Sequence, residues 1–302
     1  KAFACDPSDA RLLLELDQLR KRLGHAPQER LAALERHREL VEERDDLYTE
    51  FVTLHNQLGR HEEALGLLMR RRFYPWEGGE GKVTGQYVLS HVELAKQAIR
   101  EQRYAEAIDH LKQAQEYPAN LGEGKLPIAE ENDIEYWLGV AYRGLGDEKA
   151  AVEWFTKAAS GRYELTAAMF YNDLRSDLLF YQGLALLALG RGDEAMARFN
   201  RLHDYGEQHL FDDVKIDYFA VSLPDFLLFD QDLNVMNQVH CRYLMGLGYL
   251  GRGDLDRAKR ELAAAHALDR NHLGVAIHLE MLEQGWFTDE SSGTEAEDDA
   301  AS

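Results

Sequence analysis

Apolar residues recur along this chain at helical rather than strand spacing. Leu12, Leu13, Leu16, Leu19 and Leu23 form one stripe that stops at Gly24. Pro27 then suits the first turn of a second helix running from about Gln28 to Arg44. Further on, a pattern repeats. Alanines at 64, 107, 151, 195 and 258 stand 43, 44, 44 and 63 residues apart. Each is followed four positions later by a large apolar residue: Leu68, Leu111, Phe155, Phe199 and Leu262. Gly59, Gly146, Gly190 and Gly253 lie five residues before four of those alanines, where a helix would end in a left-handed residue. The pattern predicts antiparallel helix pairs with tight turns. Each pair leaves an apolar face that only a neighbouring pair can cover. Val and Ile cluster nowhere, so no large sheet is expected.

The stretch from Glu135 to Ala158 places Leu138, Gly139, Tyr142, Gly146, Ala151 and Phe155 in an order that resembles a tetratricopeptide repeat. Met245, Gly246, Tyr249, Gly253, Ala258 and Leu262 repeat it, as do Gly183, Leu186, Gly190, Ala195 and Phe199. Weaker copies run through Leu94, Ala95, Tyr104, Ala107 and Leu111, and through Phe51, His55, Gly59, Ala64 and Leu68. The resemblance implies an all-α, right-handed superhelical array of helix pairs, an α-solenoid. Residues 1–45 are expected to form a degenerate capping pair, residues 46–286 about five repeats, and residues 287–302 an acidic disordered tail.

The offsets exceed the roughly 34 residues of such a repeat. Extra segments are expected at 74–86, 117–133, 161–177 and 204–237, all at the same place in the repeat and hence along one edge. The fourth contains DYFAVSLPDFLLFDQDLN, too apolar for a solvated loop, and is expected to fold back onto the array. Together PWEGGEGKVTGQY, NLGEGKL, MFYNDL and DYGEQH are similar to the C-terminal repeat region of large bacterial proteins of unknown function. In those a β-rich domain precedes the repeats, and the proteins are associated with carbohydrate use. The resemblance implies that this chain is a piece of a longer protein.

Charge narrows the partners. Acids outnumber bases 54 to 34, a net charge of −20, so nucleic acid and anionic lipid are disfavoured. The run Arg70-Arg71-Arg72 reads as a complement to a helix C-terminus. Cys5 and Cys241 are too few for a disulfide framework, which favours a reducing compartment, the cytoplasm. No stretch of 18 apolar residues suggests a membrane span.

GEGK occurs twice, at 79–82 and 122–125. Neither copy is a phosphate loop: Lys82 precedes Val83 and Lys125 precedes Leu126, so no hydroxyl follows for Mg²⁺. The glycines suit chain reversal. Glu80, Lys82, Glu123 and Lys125 suggest pairing between successive loops or, as a second reading, donors to a polar ligand beside Trp76. His203 and His209, and His266, His272 and His278, are six apart, which does not gather ligands on a helix. No catalytic motif appears, so neither an enzyme nor a cofactor is expected.

The remaining candidate is the concave groove. The resemblance places there Thr49, Thr53, Asn56, Lys96 and Arg100, then Asp133, Tyr136, Val140 and Arg143, then Asp177, Phe180, Leu184, Leu187, Tyr243, Leu247 and Leu250. The last group is apolar and is expected to be filled by the fourth insertion. The site reading is therefore Trp76, Glu80, Lys82, Lys96, Arg100, Glu123, Lys125, Tyr136, Arg143, Tyr171, Asn172, Phe180 and Tyr243. They belong to a non-catalytic scaffold for a protein or peptide, or for a missing N-terminal part of the same chain. The alternative is a carbohydrate or small-ligand module, with Trp76, Tyr136 and Tyr171 around one pocket.

Overall fold

A computed structural model describes residues 1–127, 129–167, 173, 175–215 and 232–287. The expectations for Tyr171 and Asn172, for most of the apolar fourth insertion and for the acidic tail lie outside these residues. Among the described residues there are fifteen α-helices and no strand. Near the N-terminus lie α1 (Ala2–Cys5), α2 (Ala10–Arg22), α3 (Pro27–Glu35) and α4 (Arg38–Glu43). The helix expected from Gln28 to Arg44 is thus two, broken at Arg36 and His37, where no side chain caps the restart.

Five hairpins follow. They are α5 (Asp45–Gln57) with α6 (His61–Arg70), α7 (Lys82–Arg100) with α8 (Tyr104–Ala114), and α9 (Asn132–Gly144) with α10 (Glu148–Ala158). Then come α11 (Asp177–Ala188) with α12 (Gly192–His209), and α13 (Leu233–Gly251) with α14 (Leu255–Leu268). Each first helix packs against the next first helix, so α5, α7, α9, α11 and α13 make an inner layer. A last helix, α15 (Leu273–Glu283), comes after.

The alanines and their large partners do what the pattern requires. Ala64, Ala107, Ala151, Ala195 and Ala258 are fully buried, as are Leu68, Leu111, Phe199 and Leu262, with Phe155 nearly so. Gly139, Gly183 and Gly246 sit where an added Cβ would meet Phe155, Phe199 and Leu262 within 2.7 Å. The hairpin turns carry φ between 71° and 81° at Gly59, Gly146, Gly190 and Gly253. Gln102 fills that slot between α7 and α8, with φ 58°, without a glycine.

The array curves back on itself. The connection from α14 to α15 reaches the N-terminal helices: Arg30 Nη1 donates to Asn271 Oδ1 at 2.9 Å. Asn271 Nδ2 donates to the Lys21 carbonyl at 3.1 Å, and Gln57 Nε2 to the Asn271 carbonyl at 3.0 Å. Arg30 has no exposed surface. It is held by both oxygens of Asp17, at 3.0 and 2.6 Å, and by Glu50 at 3.0 Å. Breaking such a buried pair leaves an uncompensated charge, so the clasp is costly to open.

Candidate functional site

The inserted loops bond to one another, but the two GEGK copies are not equivalent. In the first, Gly81 has φ 71° and caps the start of α7, and Lys82 is the first helical residue. In the second it is the leading glycine, Gly122, that is left-handed, after a 3-10 turn at Ala119–Leu121. A Cβ there would lie 2.7 Å from the Phe73 carbonyl oxygen. Same letters, different backbone: the second loop lies against the first. Glu123 Oε2 accepts from Gly81 N at 2.9 Å and from Thr84 Oγ1 at 3.3 Å, so its carboxylate satisfies the N-terminus of α7. Lys125 turns the other way, to Glu131 at 2.5 Å and the Gln115 carbonyl at 3.2 Å. Glu130 carries the linkage on, taking Arg162 Nε of the third loop at 2.8 Å. Glu80 makes no ion pair among the described residues.

An asparagine device accompanies these loops, and the repeat pattern gave no hint of it. Asn120 Nδ2 donates to the carbonyls of Leu68 and Arg71, closing the end of α6. Asn132 does the same to Ala158 and Ser160 after α10, and Asn237 to His209 after α12. Asn120 and Asn237 reach back from beyond the hairpin they close, whereas Asn132 ties the two ends of its own hairpin; in each case a helix C-terminus gains a donor for its orphan carbonyls.

The inner face is occupied. It is covered by α15 and the two aromatics after it, rather than by the described part of the fourth insertion. The His278 ring lies 5.5 Å from Phe180, 6.2 Å from Tyr181 and 5.6 Å from Tyr243. Trp286 packs edge-on to Trp137 at 5.0 Å, and Phe287 to Phe180 at 6.0 Å. The helix therefore spans α9, α11 and α13. His278 is buried, and its Nδ1 lies 2.8 Å from the Gly274 carbonyl and 3.2 Å from the Tyr243 hydroxyl. A carbonyl can only accept, so Nδ1 carries the proton and Nε2 is a bare lone pair. Nε2 is buried without a partner among the described residues, as are Trp137 Nε1 and Asp133 Oδ1. Burial holds the His278 pKa down at about 4, against the pull of Asp177.

What stays open is a mouth beside α15, a cavity of about 480 Å³ between the α5–α6 turn, α7 and α15. Lys96, Arg100, Met281, Gln284 and Trp286 are among its walls. Lys96 is tied to Glu93 at 2.8 Å. Arg100 lies 5.9 Å from the centre of the Trp286 ring.

The expected site residues therefore divide. Lys96 and Arg100 meet at the mouth. Phe180 and Tyr243 lie on the inner face but beneath α15. Tyr136 is packed between Trp137, Phe155 and Tyr181, and burial raises its pKa to about 12. Arg143 is engaged with Glu148 at 2.8 Å and lies over Phe155. Trp76 lies on its own Gly79, so close that a Cβ there would be 2.2 Å from the ring, and packs in the N-terminal core cluster. Trp76 and Tyr136 are thus in separate clusters. Among the residues that cover the inner face, sequence reading singled out His278 only as a spacing and passed over Trp286 and Phe287. The signal was present: α15 is apolar on more than one side, which marks a helix enclosed by protein.

Stacked hairpins around an occupied inner face define an α-solenoid of helical repeats. Family models described as tetratricopeptide repeat match residues 136–160 and 177–205, which cover α9–α10 and α11–α12. These two matched segments are tetratricopeptide repeats. A similar solved structure is YrrB, described as a TPR protein with an unusual peptide-binding site. It is 18% identical, over 80% of this chain and 96% of that one, with a TM-score of 0.27. No described helix is long and apolar enough to cross a membrane.

Proposed function

We propose that this chain is a non-catalytic scaffold that receives a protein or peptide partner at the mouth beside Trp286 and along the adjoining edge of inserted loops. The partner is either a separate molecule or another part of the same polypeptide. The reading is supported by how the inner face is used: α15 takes up its apolar centre, which leaves Arg100, Trp286 and the neighbouring polar side chains as the accessible margin. An exposed guanidinium beside a half-buried tryptophan is the kind of pair on which partner recognition concentrates. A sugar site around Trp76 and Tyr136 lacks comparable support, because the two rings belong to different packed clusters.

Selection of a random peptide library against the chain tests the reading. Enriched peptides are expected to lose about tenfold or more in affinity on Arg100→Ala and on Trp286→Ala, consistent with a hot spot of over 1 kcal/mol. Peptides that bind both variants as tightly as the parent would sink it.

A further inference from the structure

Two histidines that sequence spacing does not pair meet across one hairpin. His91 lies on α7 and His110 on α8, 19 residues apart. Their Nδ1 atoms are 3.0 Å from each other. The ring planes are tilted by 50° with centres 5.2 Å apart. The nitrogens meet, rather than the ring faces. His91 is buried, and Tyr87 holds its ring edge-on at 4.6 Å. His110 is half-buried, which leaves an approach from solvent on its side.

A hydrogen bond accounts for the contact between the rings, one Nδ1 donating and the other accepting. It does not account for the charge gathered beside them. Glu106 stands four residues before His110, on the same face of α8. Asp109 adjoins His110, and Glu62 is in the first turn of α6. All three carboxylates are exposed. Burial lowers the His110 pKa, and Glu106, Asp109 and Glu62 pull it back up, while Arg103 opposes them. A cation between the imidazoles would therefore sit in a negative field, on a chain of net charge −20.

The spacing suits a metal ion. Bonds of about 2.0–2.1 Å to imidazole put neighbouring nitrogens about 2.9 Å apart in a square plane and about 3.3 Å apart in a tetrahedron. The observed 3.0 Å lies between the two. Among the described residues no three ligating side chains already converge, so a third ligand has to swing in. Glu106 is placed to do so. It is exposed and paired with Arg103, and Arg103 keeps Glu101 at 2.6 Å when Glu106 leaves.

We propose that His91 Nδ1, His110 Nδ1 and the Glu106 carboxylate bind a divalent transition-metal ion, copper(II) most tightly, with water completing its shell. The ion would stitch α7 to α8. The proton of the present hydrogen bond moves from Nδ1 to Nε2 of the same ring, so both imidazoles stay neutral.

Copper(II) titrated into the chelator-treated full chain at neutral pH, in competition with glycine, tests the site. Electron paramagnetic resonance of the first equivalent should show splitting from two imidazole nitrogens. His110→Ala should abolish that pattern and weaken binding about a hundredfold, and Glu106→Gln should weaken it about tenfold. Glu106 is exposed, so its amide variant keeps the test open should His110→Ala fold poorly. Magnesium, which takes oxygen ligands, should not displace the copper. The proposal is overturned if the chain takes no copper from glycine. It also fails if the first equivalent binds a folded His110→Ala chain or the Glu106→Gln chain as tightly as the parent, or if magnesium competes.

Discussion

At the scale of single residues, the repeat is held by backbone conformations and by missing methyl groups. Gln102 is the informative departure. Its φ of 58° costs a residue with a side chain about 1 kcal/mol relative to glycine. Among the described residues no hydrogen bond to its side chain offsets this, and it is exposed. Gln102→Gly should therefore stabilise the chain by up to about 0.5 kcal/mol, after part of the gain is lost to the freer unfolded chain. A higher urea midpoint at unchanged slope would bear this out; a lower midpoint would not. Gly183 makes the opposite case. A Cβ there would lie 2.3 Å from the Phe199 ring, which Gly251 crowds from the other side. Gly183→Ala is expected to cost about 1–3 kcal/mol by overpacking, read in the same titration.

At the scale of elements, helix ends are closed by side chains that reach in from inserted loops and neighbouring helices. Glu123 illustrates it, reaching back 42 residues to the first turn of α7. Glu123→Ala should cost about 1 kcal/mol, the usual worth of an N-terminal cap. It should also raise amide exchange in residues 81–84 while leaving α8 unchanged. Equal exchange in both helices would contradict a local role. Here the limits of sequence reading are clearest. The positions of Ala64 through Ala258 and their partners were legible because small-against-large packing repeats with the fold. The pairing of the two GEGK loops was legible only in part. Glu123 does bridge to the other copy, but Lys125 does not, since the loops differ in which glycine is left-handed. The asparagine ties were illegible, because Asn120, Asn132 and Asn237 occupy no common place in the repeat. The occupant of the inner face was also missed. Nothing in a repeat pattern says that a helix after the last repeat returns across it.

At the scale of the whole molecule, the return of α15 makes the groove part of the stability of the chain. It also makes that stability dependent on pH. His278 is buried and neutral, with its pKa at about 4 because burial outweighs the attraction of Asp177, while Lys96 pushes in the same direction as burial. Tyr181, Tyr243 and Glu93 are its other titratable neighbours. An unfolded histidine titrates near 6.5. Between those values the unfolded chain binds a proton that the folded chain refuses. Stability therefore falls as pH drops through 6.5 towards 4, by about 3 kcal/mol from this residue, and is fully present above 6.5. His91 and His240, also at about 4, add to the slope in the same direction. Glu50 acts lower. Burial raises its pKa, but Lys21 and Arg30 hold it at about 2, so its contribution is lost only below about 4.5. The Glu50 arm of the Arg30 clasp should thus outlast the neutral seat of His278 during acidification, while burial raises the pKa of Asp17, the other arm. The outcome expected is a two-stage response. Between pH 6 and 4 α15 should loosen first, seen as a fluorescence change from the Trp137–Trp286 pair before helicity falls. His278→Gln should remove that early change and flatten the stability profile above pH 4, although His91 and His240 keep some slope. An early change that persists in His278→Gln would place the acid sensitivity elsewhere than on the inner face.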